Sequence, residues 1–150
     1  MTRITHKSKS GKLLLGIAAF GALMLAGCED MGHIIPANEQ AENLGGEMPA
    51  HFTSFSTGNG TIEAIGPGGE VLKGSYGPMP ADYAFGGVFN AVYGQFSTMP
   101  TAADNGAPTV ATLTGNKGTT LKCEFYNNNY TGNGFGACKS LTGALYKLQY

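Results

Sequence analysis

From about His51 onward, short runs of β-branched, aromatic and aliphatic residues alternate with Gly, Asn and Pro. Runs of this kind, each ended by turn residues, predict strands. The 24 glycines favour many turns, few helices and a modest core. We therefore predict one small all-β domain over 51–150, built as an antiparallel β-sandwich or a barrel-like meander. Its predicted strands are 52–56, 61–65, 70–76, 83–93, 109–114, 119–126, 135–140 and 144–150.

The strand over 119–126 has the clearest alternation. Leu121, Cys123 and Phe125 share one face, while Lys122 and Glu124 point the other way. This alternation is typical of a strand with one buried face. The first three side chains are therefore expected to face the core.

A weak internal repeat joins two parts of the domain. Segments 58–76 and 134–150 each contain a Gly-x-Gly pair, a later glycine and a closing tyrosine. If Gly58 matches Gly134, the second copy is two residues shorter between its glycine pairs. A pair of similar hairpins is one interpretation, and chance similarity in a glycine-rich chain is the other.

The N-terminus has the pattern of an export signal. Basic residues and no acidic ones precede an apolar run over 13–25, LLLGIAAFGALML. This predicts a secretory signal rather than a membrane-spanning helix. The run ends in Leu25-Ala26-Gly27-Cys28, which resembles the lipobox of bacterial lipoproteins. The resemblance implies cleavage before Cys28 and a lipid on Cys28 that holds the protein on a membrane. An ordinary signal peptide followed by a chance cysteine is the alternative.

The predicted organisation has three parts: a signal peptide over 1–27, an acidic flexible tether over 28–50, and the β-domain over 51–150. Within the tether, a short helix from Pro36 through Leu44, ended by Gly45, is an alternative to a solvated chain. Glu29 follows Cys28, whereas Asp at that place is the enterobacterial signal for inner-membrane retention. We therefore expect the outer membrane rather than the inner one.

Net charge limits the partners. The whole chain has nine basic and ten acidic residues, and four of the basic ones precede Cys28. The processed chain would keep five basic and ten acidic residues, a net charge of −5. Such a chain is not expected to bind nucleic acid or to be drawn to anionic lipid. The expected partners are the membrane, through the lipid, and an envelope protein or a glycan.

Assigning Cys28 to lipid leaves Cys123 and Cys138. An isolated pair in an oxidising envelope compartment predicts a disulfide. Closing a loop of about fifteen residues would stabilise the fold by roughly 3 kcal/mol. A redox or metal-binding pair is disfavoured, since the sequence has no Cys-x-x-Cys and no histidine near either residue.

The C-terminal part carries a family resemblance. Residues 113–150 contain a Gly-rich Cys…Gly-x-x-x-Cys…Gly-x-x-Tyr ending. This ending looks like the closing third of small uncharacterised proteobacterial lipoproteins. The resemblance implies an envelope β-domain and no particular activity.

Catalytic patterns are missing from the sequence. It has no Gly-x-Ser-x-Gly, no His-Glu-x-x-His and no phosphate-binding loop that leads into a helix. His33 and His51 have no motif partner, and the few carboxylates of the domain are expected to be solvated. We therefore predict no enzyme activity, no metal and no cofactor.

One loop is a candidate for ligand binding. Tyr126, Asn128 and Tyr130 lie in an Asn-rich stretch, and tyrosine with asparagine suits hydrogen bonding and sugar stacking. An ordinary Asn-rich turn is the alternative.

The sequence thus predicts a lipid-anchored, non-catalytic accessory or scaffold element of the envelope. The alternative is a binding module for a glycan or a host protein, such as a lysozyme inhibitor.

Overall fold

A computed structural model describes residues 28–55, 58–94, 106–128 and 133–150 and shows a closed barrel of eight antiparallel strands in meander order. Each strand pairs with the next one in sequence, and β1 pairs with β8 to close the barrel. The all-β prediction is confirmed, in its barrel-like form. The strands are β1 Cys28–Pro36, β2 Met48–Ser54, β3 Gly60–Gly66, β4 Glu70–Pro78, β5 Gly106–Gly115, β6 Thr120–Asn128, β7 Gly134–Ser140 and β8 Leu145–Gln149.

Apolar side chains of alternate residues fill the barrel interior, as the period of a strand requires. Aromatic rings occupy one half of it. The Phe52 and Tyr150 rings stack at 4.2 Å between centroids, and Phe125 lies edge-on to Tyr76 at 5.7 Å. The Tyr76 hydroxyl forms a 2.7 Å hydrogen bond with the Ser54 hydroxyl. Side chains of the described residues are thus packed in the interior.

Interior glycines make room for these rings. Gly60 lies opposite Tyr76 in the β3–β4 pair, and a Cβ on Gly60 would overlap the Tyr76 ring. Gly134 and Tyr150 exchange both backbone hydrogen bonds, and a Cβ on Gly134 would overlap the Tyr150 ring. The two hairpins of the predicted repeat are therefore equivalent in structure. The structural match is Gly60 with Gly134, which removes the two-residue offset that matching Gly58 with Gly134 had introduced.

The predicted tether over 28–50 is replaced in the structure by ordered elements of the barrel. Cys28–Pro36 is β1, Glu39–Leu44 is a short helix (α1), and β2 begins at Met48. The alternative of a short helix through Leu44, ended by Gly45, is confirmed, but the helix starts at Glu39 rather than at Pro36, which is the last residue of β1. The α1 helix is fixed by Asn38, whose side-chain oxygen accepts hydrogen bonds from the Ala41 and Leu145 backbone N–H groups. The buried Ala41 belongs to the main core.

The predicted strand over 83–93 is wrong. Gly87–Tyr93 forms a helix (α2), and Gly94, with φ of 81°, ends it. The apolar residues of this stretch recur with helical spacing, at positions i, i+3, i+4, i+7 and i+8: Phe85, Val88, Phe89, Val92 and Tyr93. They pack on the outer wall of the barrel in a second apolar cluster.

The predicted disulfide is present. Cys123 of β6 and Cys138 of β7 lie directly opposite each other and are bonded. Both side chains face the barrel interior and are buried, as the alternation in β6 predicts. The disulfide therefore joins two neighbouring strands inside the main core.

Candidate functional site

The predicted lipidation residue, Cys28, is the first residue of β1 and lies opposite Ser54, the last residue of β2. Because the strands are antiparallel, the β2–β3 turn and the ends of β6 and β8 lie at this same end of the barrel. We call it the Cys28 end. The opposite end, called the far end, carries α1 and the turns at 116–118 and 141–143.

The structure describes two of the three predicted ligand-binding residues, Tyr126 and Asn128, and neither is exposed. Tyr126 lies within β6, and its side chain is only 5% exposed because α2 covers it. Its ring contacts Phe85 at 5.2 Å and Phe135 at 5.8 Å between centroids. Asn128 is the half-buried last residue of β6, and Tyr130 lies outside the described residues. The structure therefore places Tyr126 in the packing between helix and barrel.

Glu124 holds α2 on the barrel wall. This side chain points outward from β6, as predicted, but it is 1% exposed rather than solvated. One carboxylate oxygen accepts hydrogen bonds from the backbone N–H groups of Gly86, Val88 and Phe89, at 3.0, 3.0 and 2.8 Å. The other accepts from the Tyr83 hydroxyl at 3.0 Å. Glu124 thus caps α2 from another element, where the helix's own N-cap residue provides no side-chain hydrogen bond.

The contact with Glu124 also changes the pKa of Tyr83. Burial, together with the hydrogen bond and negative charge of Glu124, raises the pKa of Tyr83 to about 12. The phenol therefore stays protonated, as its role as a donor to Glu124 requires. The Tyr83 phenol is therefore a hydrogen-bond donor rather than a proton acceptor near neutral pH. The pair is a structural clamp for α2.

Three lysines form a patch on the outer wall of β6, β7 and β8. Lys122 and Lys139 lie directly opposite each other, and Lys147 is on the next strand, opposite Ala137. All three are exposed; Lys122 and Lys139 lie toward the far end, and Lys147 is the middle residue of β8. Directly opposed like charges destabilise a sheet, so this arrangement is costly unless an anion balances it. We call Lys122, Lys139 and Lys147 the lysine patch.

No acidic side chain of the described residues pairs with the lysine patch. The ion pairs among the described residues lie elsewhere: Lys73 pairs with Glu63 at 2.7 Å, and His33 pairs with Glu47. The patch thus contains three of the five lysines that follow Cys28 in an otherwise acidic sequence. The sequence alone did not reveal the lysine patch, because the patch depends on strand register. The alternation of β6 placed Lys122 outside, but nothing in the sequence set it opposite Lys139.

His33 and His51, the histidines that follow Cys28, are exposed on the outer wall. His33 pairs with Glu47, and His51 lies opposite Met31 and Glu63 in the neighbouring strands. Across the four described stretches, His, Cys, Asp and Glu form no group of three that would hold a metal ion. Within those same stretches, no helix has the length and apolar character needed to cross a membrane.

Glu70 is the second buried carboxylate, at the start of β4 near the far end. It accepts hydrogen bonds from the Thr119 hydroxyl at 2.7 Å and from the backbone N–H groups of Lys117 and Thr119 at 2.9 and 3.1 Å. The Thr119 hydroxyl, these backbone groups and the Lys117 charge outweigh burial and lower the pKa of Glu70. Glu70 thereby ties β4 to the turn between β5 and β6.

We expect Glu70→Gln to lower stability at neutral pH by about 1.5–3 kcal/mol, the usual contribution of hydrogen bonds to a charged group. Because folding lowers the pKa of Glu70, its ionised carboxylate stabilises the fold at pH values above the pKa of the unfolded chain. This stabilisation is lost as the pH falls through the pKa of the folded state. Urea unfolding at a series of pH values checks this. The wild-type and variant stabilities should converge in acid, and a pH-independent difference would contradict the assignment.

Comparison with known proteins gives no family for this chain. It matches no family model, no curated protein and no solved structure. The proposals below therefore depend on the geometry and the sequence of this chain alone.

Proposed function

We propose that this protein is a lipid-anchored, non-catalytic accessory or scaffold element of the bacterial cell envelope. The observation that carries the proposal is the position of Cys28. The described strands begin at Cys28, the residue at which the lipobox-like sequence ends. Cleavage before Cys28 would leave every described strand of the barrel intact.

Two further observations support this function. The buried Cys123–Cys138 disulfide suits an oxidising compartment outside the cytoplasm. The closed barrel and its packed interior make a rigid body, which suits a scaffold. On this view the outer membrane holds the protein, since Glu29 rather than Asp follows Cys28.

Metabolic labelling with an alkyne fatty acid tests the anchor in a producing bacterium. We expect label on the wild-type chain and none on Cys28→Ala. The double variant Cys123→Ala/Cys138→Ala is the matched control, because it also loses cysteines but should keep the label. Label on Cys28→Ala, or none on the wild type, would contradict the anchor.

Two experiments test the remaining parts of the proposal. Density-gradient separation should place the labelled protein with the outer membrane, and recovery with the inner membrane would contradict that location. Mild crosslinking in intact cells should yield a stable envelope partner. Recovery of the barrel without any partner across growth conditions would remove the scaffold role while leaving the anchor.

The second candidate is an envelope binding module, and the lysine patch favours it. Three exposed ammonium groups without acidic partners among the described residues suit an anionic glycan. A cationic host protein such as lysozyme would be repelled there. The exposed hydroxyl of Thr112, which lies opposite Lys122 on the next strand, adds a hydrogen-bonding group beside the patch.

Binding to heparin, as a generic anionic polysaccharide, tests this candidate, with dextran as the neutral control. We expect the triple variant Lys122→Gln/Lys139→Gln/Lys147→Gln to lose the binding and salt to weaken it for the wild type. Lys73→Gln is the matched control, because Lys73 is paired with Glu63. Equal binding by the wild type and the triple variant, or no binding by the wild type at low salt, would exclude the patch.

A further inference from the structure

The Cys28 end brings the predicted lipidation residue close to the exposed Phe55. We infer that the barrel stands directly on the lipid leaflet with its Cys28 end in the headgroup region and its far end turned away. This inference rests on the proposed lipid anchor. It goes beyond the anchor because it fixes the orientation of the folded domain and the surface that contacts lipid.

The absence of a spacer fixes this orientation. Cys28 is already in the barrel wall, in register with Ser54, and Glu29 and Asp30 continue the pairing with β2. A flexible tether between lipid and barrel would let the domain tumble. When the first residue of a strand carries the lipid, the adjacent turns are held within a few ångströms of the headgroups.

The chemistry of the Cys28 end suits a zwitterionic leaflet. Phe55, in the β2–β3 turn beside Ser54, exposes 55% of its surface. Among the described residues that join strands at this end, 55, 58–59, 79–94 and 133, none is Lys or Arg. Glu29 next to Cys28 is exposed and acidic. The barrel would thus be held on the leaflet by the lipid on Cys28 and by the apolar contact of Phe55, rather than by attraction to anionic lipid.

The orientation also decides which surface meets other partners. Strands of seven to ten residues, such as β7 and β5, hold the far end roughly 20 Å above the leaflet at the usual rise and tilt. The lysine patch then faces the envelope space. Asn128, at the end of β6, is turned toward the lipid instead. Partners in the envelope are therefore expected on the outer wall and the far end.

Fluorescence quenching in vesicles tests the orientation. Full-length lipidated protein is purified from membranes and reconstituted in phosphatidylcholine vesicles that contain headgroup spin-labelled lipid. A fluorophore is placed at Phe55→Cys or, as the matched control, at Leu141→Cys in the far-end turn, which is 74% exposed. With Cys28 lipidated and Cys123 bonded to Cys138, the added thiol is the free one.

We expect loss of most fluorescence at position 55 and almost none at position 141. Hydrogen exchange of the unsubstituted protein gives a second measurement, in which vesicles should slow exchange over 54–60 and leave 140–144 unchanged. Equal quenching at both positions, or stronger quenching at 141, would overturn the orientation. Mass spectrometry of the same sample separates the two proposals. A lipid-bearing Cys28 with equal quenching refutes only the orientation, whereas the absence of lipid refutes both.

Discussion

Glu124→Ala is expected to lower the free energy of unfolding by about 3 kcal/mol or more and to release α2 from the barrel wall. The variant leaves three buried backbone N–H groups, on Gly86, Val88 and Phe89, without their acceptor. Each unsatisfied buried donor costs about 1–3 kcal/mol. Because a domain of this size is stable by only about 5–15 kcal/mol, the loss would be a large share of the total.

Hydrogen exchange is the most specific measurement of this effect. The Val88 and Phe89 amides should exchange faster in Glu124→Ala, while amides of β3 and β4, away from α2, should change only through the global loss of stability. Glu124→Gln is the matched control, because its side-chain carbonyl still accepts a hydrogen bond at nearly the same volume. Glu124→Gln should therefore lose less free energy of unfolding than Glu124→Ala. Unchanged exchange at Val88 and Phe89 in the alanine variant would contradict the clamp.

Reduction of the Cys123–Cys138 disulfide is expected to cost about 3 kcal/mol, because the reduced chain regains the loop entropy of about fifteen residues. For a domain of this size that loss lowers the urea midpoint by about 2 M. Because both cysteines are buried, the titration is run at equilibrium with reductant present in every sample. Tyrosine circular dichroism follows the transition, since the chain has no tryptophan.

The double variant Cys123→Ala/Cys138→Ala is the control for side effects of the reductant. Its urea midpoint should be low and should not change when reductant is added. The wild-type midpoint should fall toward that of the variant. A wild-type midpoint that stays the same under reducing conditions would contradict a stabilising disulfide.

The alternation of apolar residues predicted most of the barrel, because a half-buried strand imposes a period of two. Seven of the eight observed strands overlap predicted ones, and the faces of Leu121, Cys123 and Phe125 are as expected. The strand that was missed, β1, contains Gly32, a proline and acidic residues, which favour a loop interpretation. Pairing with both β2 and β8 overrides that local preference.

The α2 helix was mistaken for a strand because it is short and rich in β-branched and aromatic residues, which are common in strands. The spacing of Phe85, Val88 and Phe89 was the signal that indicated a helix. This error carried over to Glu124. Its outward direction was correct, but a carboxylate on the outer face is expected to be solvated unless another element covers it.

The candidate sites depend on contacts that are distant in sequence, and these were the least predictable. Burial of Tyr126 follows from α2, and the opposition of Lys122 and Lys139 follows from the register of β6 with β7. The glycines opposite Tyr76 and Tyr150 were visible as a repeat, but their role in accommodating rings required the barrel. Cys28 differs from these residues, because its proposed role comes from the sequence before it.

The mass of the N-terminal peptide of protein purified from bacterial membranes tests the central claim most directly. The lipid anchor predicts a mature chain that begins at Cys28 and carries a diacylglyceryl group on that residue. A membrane-derived chain that begins at another residue, or at an unmodified Cys28, would contradict the anchor and the membrane orientation inferred from it.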